Sequence, residues 1–242
     1  MDQDDPTYFD DWLAGWHKSV DFLRDPRFVA AYRRGMDSGH HIMRPRGSSD
    51  DIHLEWRVHL LLWAAAHAAK LEGDYVECGV NTGIYSLAVC DYLDFNRIGK
   101  AFYLFDTFEG TPLEQINEEE KGMGRIESSK EHYSECYEIA RRNFAPFSNV
   151  HLVRGKVPDS LRSVDIGKLC YLSIDMNIVE PEIAAIEFFW DKLSPGAPVI
   201  LDDYGWLPYR LQKEAMDRFA GQKGVAIANL PTGQGLILKP PR

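Results

Sequence analysis

The chain has 242 residues, enough for one α/β domain with additional helices but cramped for two independent domains. Its 27 Lys and Arg residues against 37 Asp and Glu residues give a formal net charge of −10, which repels phosphate backbones and anionic membranes. We therefore exclude nucleic acid and membrane surfaces as partners.

Three further features indicate where the protein works. The longest apolar run, residues 60–69, is about half of the roughly 20 residues that span a bilayer, and it predicts a buried helix. The first residues lack the basic flank and apolar core of a secretory signal. Four scattered cysteines without a Cys-x-x-Cys pair argue against disulfides and a thiolate zinc site. We expect a cytoplasmic protein with reduced, packed cysteines.

The first 70 residues have a helical character. Aromatic side chains are spread from Tyr8 to Phe28, and a turn-rich stretch from Gly35 to Ser49 interrupts the segment. We predict a helical N-terminal cap or lid over residues 1–70 and a catalytic domain over residues 71–242.

Short β-rich runs alternate with helical stretches in the rest of the chain. This alternation predicts a mostly parallel sheet with helices on both faces. The tail differs, because two apolar strands at residues 224–230 and 235–239 are joined by a short turn and predict an antiparallel hairpin. We therefore expect an α/β, Rossmann-like fold with seven strands. The five parallel runs are Tyr75–Glu77, Ala101–Asp106, Val150–Val153, Cys170–Asp175 and Pro198–Asp203.

A polar insertion at residues 110–135 lies between the second and third of these strands. It is located beside the sheet edge where ligands enter α/β folds. A solvated loop accounts for such a segment, and a lid that closes over substrate is the sharper alternative.

A glycine loop follows the first strand of the predicted sheet. It places Glu77, Gly79 and Gly83 in a Glu-x-Gly-x-x-x-Gly pattern before a helix. Glycines allow the backbone to turn sharply and to approach a ligand closely. A carboxylate in the first position repels pyrophosphate and suits the ammonium group of a methionyl ligand. A purely structural strand-to-helix turn is the alternative.

The second strand ends at Asp106, followed by Thr107 and Phe108. A carboxylate at this position can accept hydrogen bonds from both ribose hydroxyls of a nucleoside. Its alternative role is a helix cap or a surface side chain. The pattern favours a nucleoside site at the first two strands.

Three aspartates follow the fourth and fifth strands. Asp175 ends the fourth strand, and Asp202 and Asp203 end the fifth. Because carboxyl ends of neighbouring parallel strands meet at one sheet edge, the three carboxylates converge and repel each other. A hard divalent cation relieves this repulsion, and oxygen ligands favour Mg²⁺, Mn²⁺ or Ca²⁺ over zinc. Capping and internal hydrogen bonds are the structural alternative.

Taken together, these motifs resemble the macrocin-type O-methyltransferase family over roughly residues 70–220. The family has a class I methyltransferase fold and methylates sugar hydroxyls with S-adenosylmethionine and Mg²⁺. The resemblance implies that Asp175, Asp202 and Asp203 bind the metal, with Mn²⁺ as the alternative ion. It implies a cofactor site at Glu77, Gly79, Gly83, Asp106, Thr107 and Phe108. The stretches that carry it are Glu77–Gly83, Phe105–Gly110, Ile174–Asn177, Leu193–Gly196 and Asp202–Gly205.

One motif departs from the family, which usually has Asp-x-Asp-x-Tyr after the fourth strand. Here Asn177 and Val179 replace the second Asp and the Tyr. Because Asn cannot accept a proton as a carboxylate does, the motif does not identify the general base. We assign Asp175, Asn177 and Asp202 to the catalytic group. Asp175 or water could remove the proton, and the other candidate bases are His40, His41, His132 and His151; the first three are expected to border the pocket.

We therefore expect an S-adenosylmethionine-dependent and metal-dependent O-methyltransferase that acts on a sugar or another small polar metabolite. Catechol-like acceptors are an alternative within this reading. A nicotinamide-dependent oxidoreductase and a non-catalytic nucleoside-binding subunit are rivals. The family resemblance also suggests a homodimer.

Overall fold

The computed structural model describes residues 5–42 and 51–241. The chain begins with a β-hairpin made by β1 (Tyr8–Asp10) and β2 (Leu13–Gly15). The prediction of helix was wrong for this part of the cap. Asp11 and Trp12 turn the chain with positive φ angles of 49° and 57°, as a two-residue hairpin turn requires. Asp is common in such a turn, but Trp in place of the usual Gly is not, so the sequence pattern concealed the turn.

Two helices make up the rest of the described cap. Helix α1 (Pro26–Met36) has proline in its first turn and Asp25 as its N-cap, which accepts a hydrogen bond from the backbone N–H of Arg27. Helix α2 (Glu55–Ala68) contains most of the predicted apolar run and buries one face of it, with Leu61 and Leu62 inside and Trp63 48% exposed. The predicted buried helix is confirmed for that face. Residues 43–49, about half of the predicted turn-rich stretch, lie outside the described residues.

A seven-stranded sheet forms the centre of the protein, in the order β5-β4-β3-β6-β7-β9-β8. The pairs from β5 to β7 are parallel, whereas β9 is antiparallel to both β7 and β8. This order confirms the predicted mostly parallel sheet with a C-terminal antiparallel hairpin. The strands are β3 (Asp74–Cys78), β4 (Phe102–Asp106), β5 (Val150–Arg154), β6 (Leu169–Ile174), β7 (Pro198–Leu201), β8 (Ala228–Asn229) and β9 (Gly235–Leu238).

Hydrophobic clusters cover both faces of this sheet. Along β3, Tyr75 packs with α1, α2 and α3 on one face, and Val76 packs with α7 and α8 on the other. This alternation follows from the two-residue period of a strand. The remaining helices are α3 (Ile84–Leu93), α4 (Glu118–Gly122), α5 (Arg125–His132), α6 (Tyr137–Phe144), α7 (Val179–Trp190) and α8 (Arg210–Lys223).

Several smaller expectations are settled by the fold. The insertion at residues 110–135 is largely helical, since it contains α4 and α5. All four cysteines are unpaired and buried, as expected. Within residues 5–42 and 51–241, no helix is both long and apolar enough to cross a membrane. In the tail, residues 224–227 precede β8 instead of joining it, because Gly224 ends α8 in a left-handed conformation.

Candidate active site

One cavity of about 470 Å³ lies at the carboxyl ends of the central strands. The glycine loop and the end of β4 line one side of it, and the ends of β6 and β7 line another. The N-terminal hairpin, α2 and the insertion at residues 110–135 complete its walls. Nine of the ten predicted site residues line this cavity, and Gly83 lies next to it. The predicted nucleoside and metal halves are therefore two sides of one cavity.

The glycine loop passes very close to the end of β6. Gly79 has a φ of +90°, and a Cβ atom there would lie 1.8 Å from the backbone oxygen of Asp175. Gly83 has a φ of +102° and precedes α3, and its Cβ would lie 2.5 Å from the Phe144 ring. Only glycine fits at these two points, because both the backbone angles and the space exclude a side chain.

Glu77 is a buried acid beside this loop, with 1% of its surface exposed. The Ser86 hydroxyl donates a long hydrogen bond of 3.5 Å to one carboxyl oxygen, and the other has no partner among the described residues. Burial raises the pKa of Glu77 well above its ordinary value, and the charges of Asp202 and Asp106 add to this effect. The side chain is therefore an uncompensated acid that a cationic ligand group would stabilise.

Asp106 anchors the glycine loop to the end of β4. Its Oδ2 accepts hydrogen bonds from the backbone N–H groups of Val80 and Asn81, at 2.6 and 2.8 Å. Its Oδ1 accepts one from the N–H of Phe108 at 2.6 Å. Thr107 donates its hydroxyl proton to the Gly110 carbonyl at 2.7 Å. This network places the carboxylate at the cavity wall and makes it part of the loop structure.

Asp202 is the most heavily bonded residue of the acidic side. Its Oδ2 accepts hydrogen bonds from Arg57 at 2.8 Å and from the Tyr85 hydroxyl at 3.1 Å. Its Oδ1 accepts one from the Gln234 amide at 3.0 Å. These partners come from α2, α3 and the loop before β9, so the carboxylate is held by three distant parts of the chain.

The sequence analysis missed Arg57, which is the buried cation of this acidic side. Its guanidinium also lies 3.6 Å from Asp203 and donates a hydrogen bond of 2.8 Å to Asp11 at the hairpin turn. The guanidinium carbon lies 4.8 Å from the centre of the Trp206 ring. A charged residue inside the otherwise apolar face of α2 was the available signal, since buried charges require partners.

Burial raises the pKa values of Asp175 and Asp203 well above the ordinary range, and the neighbouring charge of Asp202 raises them further. Three carboxylates that share one cavity wall provide the hard oxygen atoms that Mg²⁺ and Mn²⁺ prefer. Among the described residues, however, these three do not bring their ligand atoms within 4.8 Å of one another. The donor chemistry thus fits a divalent cation, but the side chains are not closed around one.

Another group does meet this distance: ligand atoms of Asp51, His53 and Glu55, at the start of α2, lie within 4.8 Å of one another. Internal hydrogen bonds account for this group. Asp51 accepts from the Tyr32 hydroxyl, while Glu55 contacts His53 at 3.2 Å and accepts from the Tyr8 hydroxyl at 2.9 Å. These hydrogen bonds connect the start of α2 to α1 and to the N-terminal hairpin.

Asn177 lies directly beside the acidic group. It has a φ of +66°, and its side-chain amide donates a hydrogen bond of 3.2 Å to Asp175. Its backbone N–H donates to Glu182 at 2.9 Å, and burial raises the pKa of Glu182 to about 8. Asn177 thus acts as a donor that orients Asp175.

The predicted histidines do not lie at the cavity. His40, His41 and His132 were expected to border it, but none of them is among its lining residues. His151 lies on the edge strand β5 and packs against Tyr103. His53, which the sequence analysis did not select, does line the cavity. The presence of a histidine in the sequence did not predict its position at the cavity, because the tertiary path of the chain determines which rings face inward.

The sheet order and the glycine loop define the class I methyltransferase fold, and solved methyltransferases share it. The O-methyltransferase NovP superposes with a TM-score of 0.71 at 19% identity, covering 92% of this chain and 100% of that one. The calicheamicin methyltransferase CalS11 gives a TM-score of 0.58 at 14% identity, covering 92% and 94%.

The particular family follows from the sequence match. The family described as Macrocin-O-methyltransferase (TylF) matches residues 60–229, and the chain belongs to this family. The 8-demethyl-8-(2,3-dimethoxy-alpha-L-rhamnosyl)-tetracenomycin-C 4'-O-methyltransferase of Streptomyces olivaceus is 27% identical over 167 residues. That match covers 66% of this chain and 62% of the relative, so the chain spans less than two thirds of the relative's length.

Proposed function

We propose that this protein transfers the methyl group of S-adenosylmethionine to a hydroxyl of a saccharide or glycosylated small molecule, with a divalent cation, Mg²⁺ or Mn²⁺, at its acidic side. The observation that carries the proposal is the two-part cavity. The glycine loop, the buried acid Glu77 and Asp106 line one side of the cavity. Asp175, Asp202 and Asp203 line the other. The relative from Streptomyces olivaceus supports a sugar acceptor, since its name describes methylation of a rhamnosyl group.

The cofactor side has the chemistry that a sulfonium nucleoside needs. Glu77 offers negative charge to the methionyl ammonium, and Gly79, which lets the loop lie against the end of β6, would place the loop backbone beside the ligand. Asp106 would accept hydrogen bonds from the ribose hydroxyls, and Gly83, Thr107 and Phe108 would shape the adjoining wall. A nicotinamide dinucleotide suits this side less well, because the acid in the loop would repel its pyrophosphate.

The acidic side would hold the cation through Asp175, Asp202 and Asp203. When bound, the cation would lower the pKa of a coordinated acceptor hydroxyl. The chain's own contribution is to orient Asp175 through the Asn177 amide and to keep Asp202 in place through Tyr85 and Gln234.

Asp175 is the residue that we propose as proton acceptor. It lies next to the glycine loop, since its backbone oxygen is the nearest neighbour of Gly79, and its carboxylate accepts the hydrogen bond of the Asn177 amide. Asn177, which replaces the usual acid of the family, would donate a hydrogen bond to Asp175. In-line transfer also requires that the acceptor oxygen lie about 3 Å from the methyl carbon, so orientation is a major part of the rate.

Trp206 and Tyr209 line the cavity next to the acidic pair and would pack against a sugar ring. A catechol is the second candidate acceptor, because neighbouring hydroxyls on an aromatic ring also chelate a divalent cation. The polar character of the acidic wall and the relative's rhamnosyl acceptor favour the saccharide.

The remaining expectations stay proposals. Four unpaired cysteines suit the reducing cytoplasm. Phe9 and Trp12 on the hairpin are 70% and 86% exposed, and they would provide part of a homodimer contact. We also retain the division into a cap at residues 1–70 and a catalytic domain at residues 71–242. The helical insertion at residues 110–135, which borders the cavity, would act as a lid.

Calorimetric titration with S-adenosylhomocysteine and with Mg²⁺ tests both halves. We expect Asp106→Ala to weaken nucleoside binding by roughly a hundredfold, since several charge-assisted hydrogen bonds are lost. Asp202→Asn should instead weaken Mg²⁺ binding and leave nucleoside binding nearly unchanged. Methyl transfer to a panel of glycosides and catechols then identifies the acceptor class. Absence of nucleoside binding in the unaltered protein would refute methyl transfer and favour the oxidoreductase; binding without transfer to any acceptor would favour the non-catalytic subunit.

A further inference from the structure

Arg57 already occupies one of the carboxylate oxygens that a metal would need, and it lies close to a second. Its Nη1 donates to Asp202 at 2.8 Å and lies 3.6 Å from Asp203. Both aspartates belong to the proposed metal site, whereas Arg57 comes from α2 of the cap. The same oxygens therefore have two possible cationic partners.

Burial makes this contact strong. The Arg57 side chain is 11% exposed, and those of Asp202 and Asp203 are 5% and 13% exposed. Water therefore screens the attraction only weakly. The bound guanidinium also repels an incoming divalent cation over such short distances. Each cation therefore weakens the binding of the other.

Arg57 has a second anionic partner outside the proposed metal site. Its Nε donates to Asp11 at 2.8 Å, and its Nη2 donates to the other Asp11 oxygen at 3.4 Å. Asp11 lies in the hairpin turn and does not take part in the acidic group on the strand ends. When a metal takes Asp202, Asp11 would keep the guanidinium paired instead of leaving a buried, unpaired charge.

We infer that Arg57 is a built-in competitor of the divalent cation, and that the release of its Asp202 contact, with the Asp11 contact retained, sets the metal affinity of the site. The inference rests on the proposed metal site and adds a residue that controls it. Arg57 is a positioning residue, since it acts through Asp202 and Asp203.

Titration of the full, chelator-treated protein with Mn²⁺ tests the inference by calorimetry. We expect Arg57→Met to bind Mn²⁺ at least roughly tenfold more tightly, because an unbranched apolar chain removes the competing charge. Asp11→Asn should bind Mn²⁺ more weakly, because Arg57 then loses its alternative anionic partner. This near-isosteric change lies in the hairpin turn, outside the strand ends, and keeps the test valid should Arg57→Met fail to fold.

Arg125→Met is the matched control. Arg125 is similarly buried and its charge also acts on Asp203, but it donates to the Pro208 carbonyl and lies over the Tyr209 ring, without a hydrogen bond to the aspartates. Its removal should change Mn²⁺ affinity much less than that of Arg57. An equal gain in both variants would show a general charge effect and overturn the inference. An Arg57→Met protein that binds Mn²⁺ no more tightly than the unaltered one would also overturn it, as would unchanged binding in Asp11→Asn.

A different result would concern the proposed function. If neither the unaltered protein nor Arg57→Met bound Mn²⁺, the metal site itself would be refuted, and this inference with it. Titration of the same samples with S-adenosylhomocysteine would then show whether the cofactor half stands.

Discussion

The two sides of the cavity are built in different ways. On the cofactor side, Asp106 bonds to the backbone of the adjacent glycine loop, 25 and 26 residues away in sequence. On the acidic side, Asp202 depends on side chains that are 145, 117 and 32 residues away, namely Arg57, Tyr85 and Gln234. The first side is a local strand-loop-helix structure, and the second is assembled by tertiary contacts.

This difference indicates how each side responds to mutation. Damage to the cofactor side should come from changes within its own loop, where backbone space is limiting. Damage to the acidic side should also come from residues far from it in sequence. Two predictions test this comparison and a third concerns the cap; the first has the largest expected effect.

Gly79→Ala should disrupt the cofactor side most strongly. The new Cβ would lie 1.8 Å from the Asp175 carbonyl oxygen and 2.5 Å from its carbon, and both are backbone atoms that cannot move freely. We expect the free energy of unfolding to fall by about 3 kcal/mol and nucleoside binding to be lost. Urea unfolding and calorimetry would measure the two effects.

Gly99→Ala is the control for Gly79→Ala. Gly99 also has a positive φ, +66°, but no atom lies within 4 Å of an added Cβ. It should cost about 1 kcal/mol, the strain of the left-handed backbone alone. Equal losses in the two variants would show that the close approach to β6 does not limit the loop.

Gln234→Leu probes the acidic side from a distance. It leaves one oxygen of Asp202 and the Thr232 hydroxyl without the partner that each has now. We expect the free energy of unfolding to fall by about 2 kcal/mol, with nucleoside affinity changed by less than roughly twofold. Gln222→Leu on the exposed face of α8 should be nearly neutral. A large loss of nucleoside binding in Gln234→Leu would contradict the independence of the two sides.

The smallest expected effect is a pH dependence in the cap. His59 stacks on Phe22 with ring centres 4.1 Å apart, and burial lowers its pKa below 6.5. The unfolded chain therefore binds a proton on His59 more readily than the folded protein does. Its contribution to stability is complete above pH 6.5 and is lost as the pH falls through the lowered pKa.

His59→Phe should remove this acid-dependent loss, which we expect to be under about 1 kcal/mol between pH 7 and pH 5. Denaturant unfolding at both pH values measures it, with the neutral-pH difference between the two proteins as the reference. The same acid-dependent loss in His59→Phe would show that other groups control the stability of the cap.

Much of the fold was predictable, because its signals are local. Alternating apolar runs predicted β3 to β7 within a few residues, and the two apolar segments of the tail predicted the antiparallel end of the sheet. The N-terminal hairpin was missed, because its turn, Asp11 and Trp12, has Trp at the position where glycine is usual. The short apolar segments around them resemble one turn of helix as much as one strand.

The residues at the carboxyl ends of the strands could be identified from the sequence. Strand ends follow from hydrophobic period and glycine position, so Glu77, Asp106, Asp175 and Asp202 could be placed at one sheet edge without coordinates. The cationic partner of these acids, in contrast, depends on tertiary contacts. Arg57 reaches Asp202 because the cap packs back over the sheet, and no local pattern encodes a contact across 145 residues.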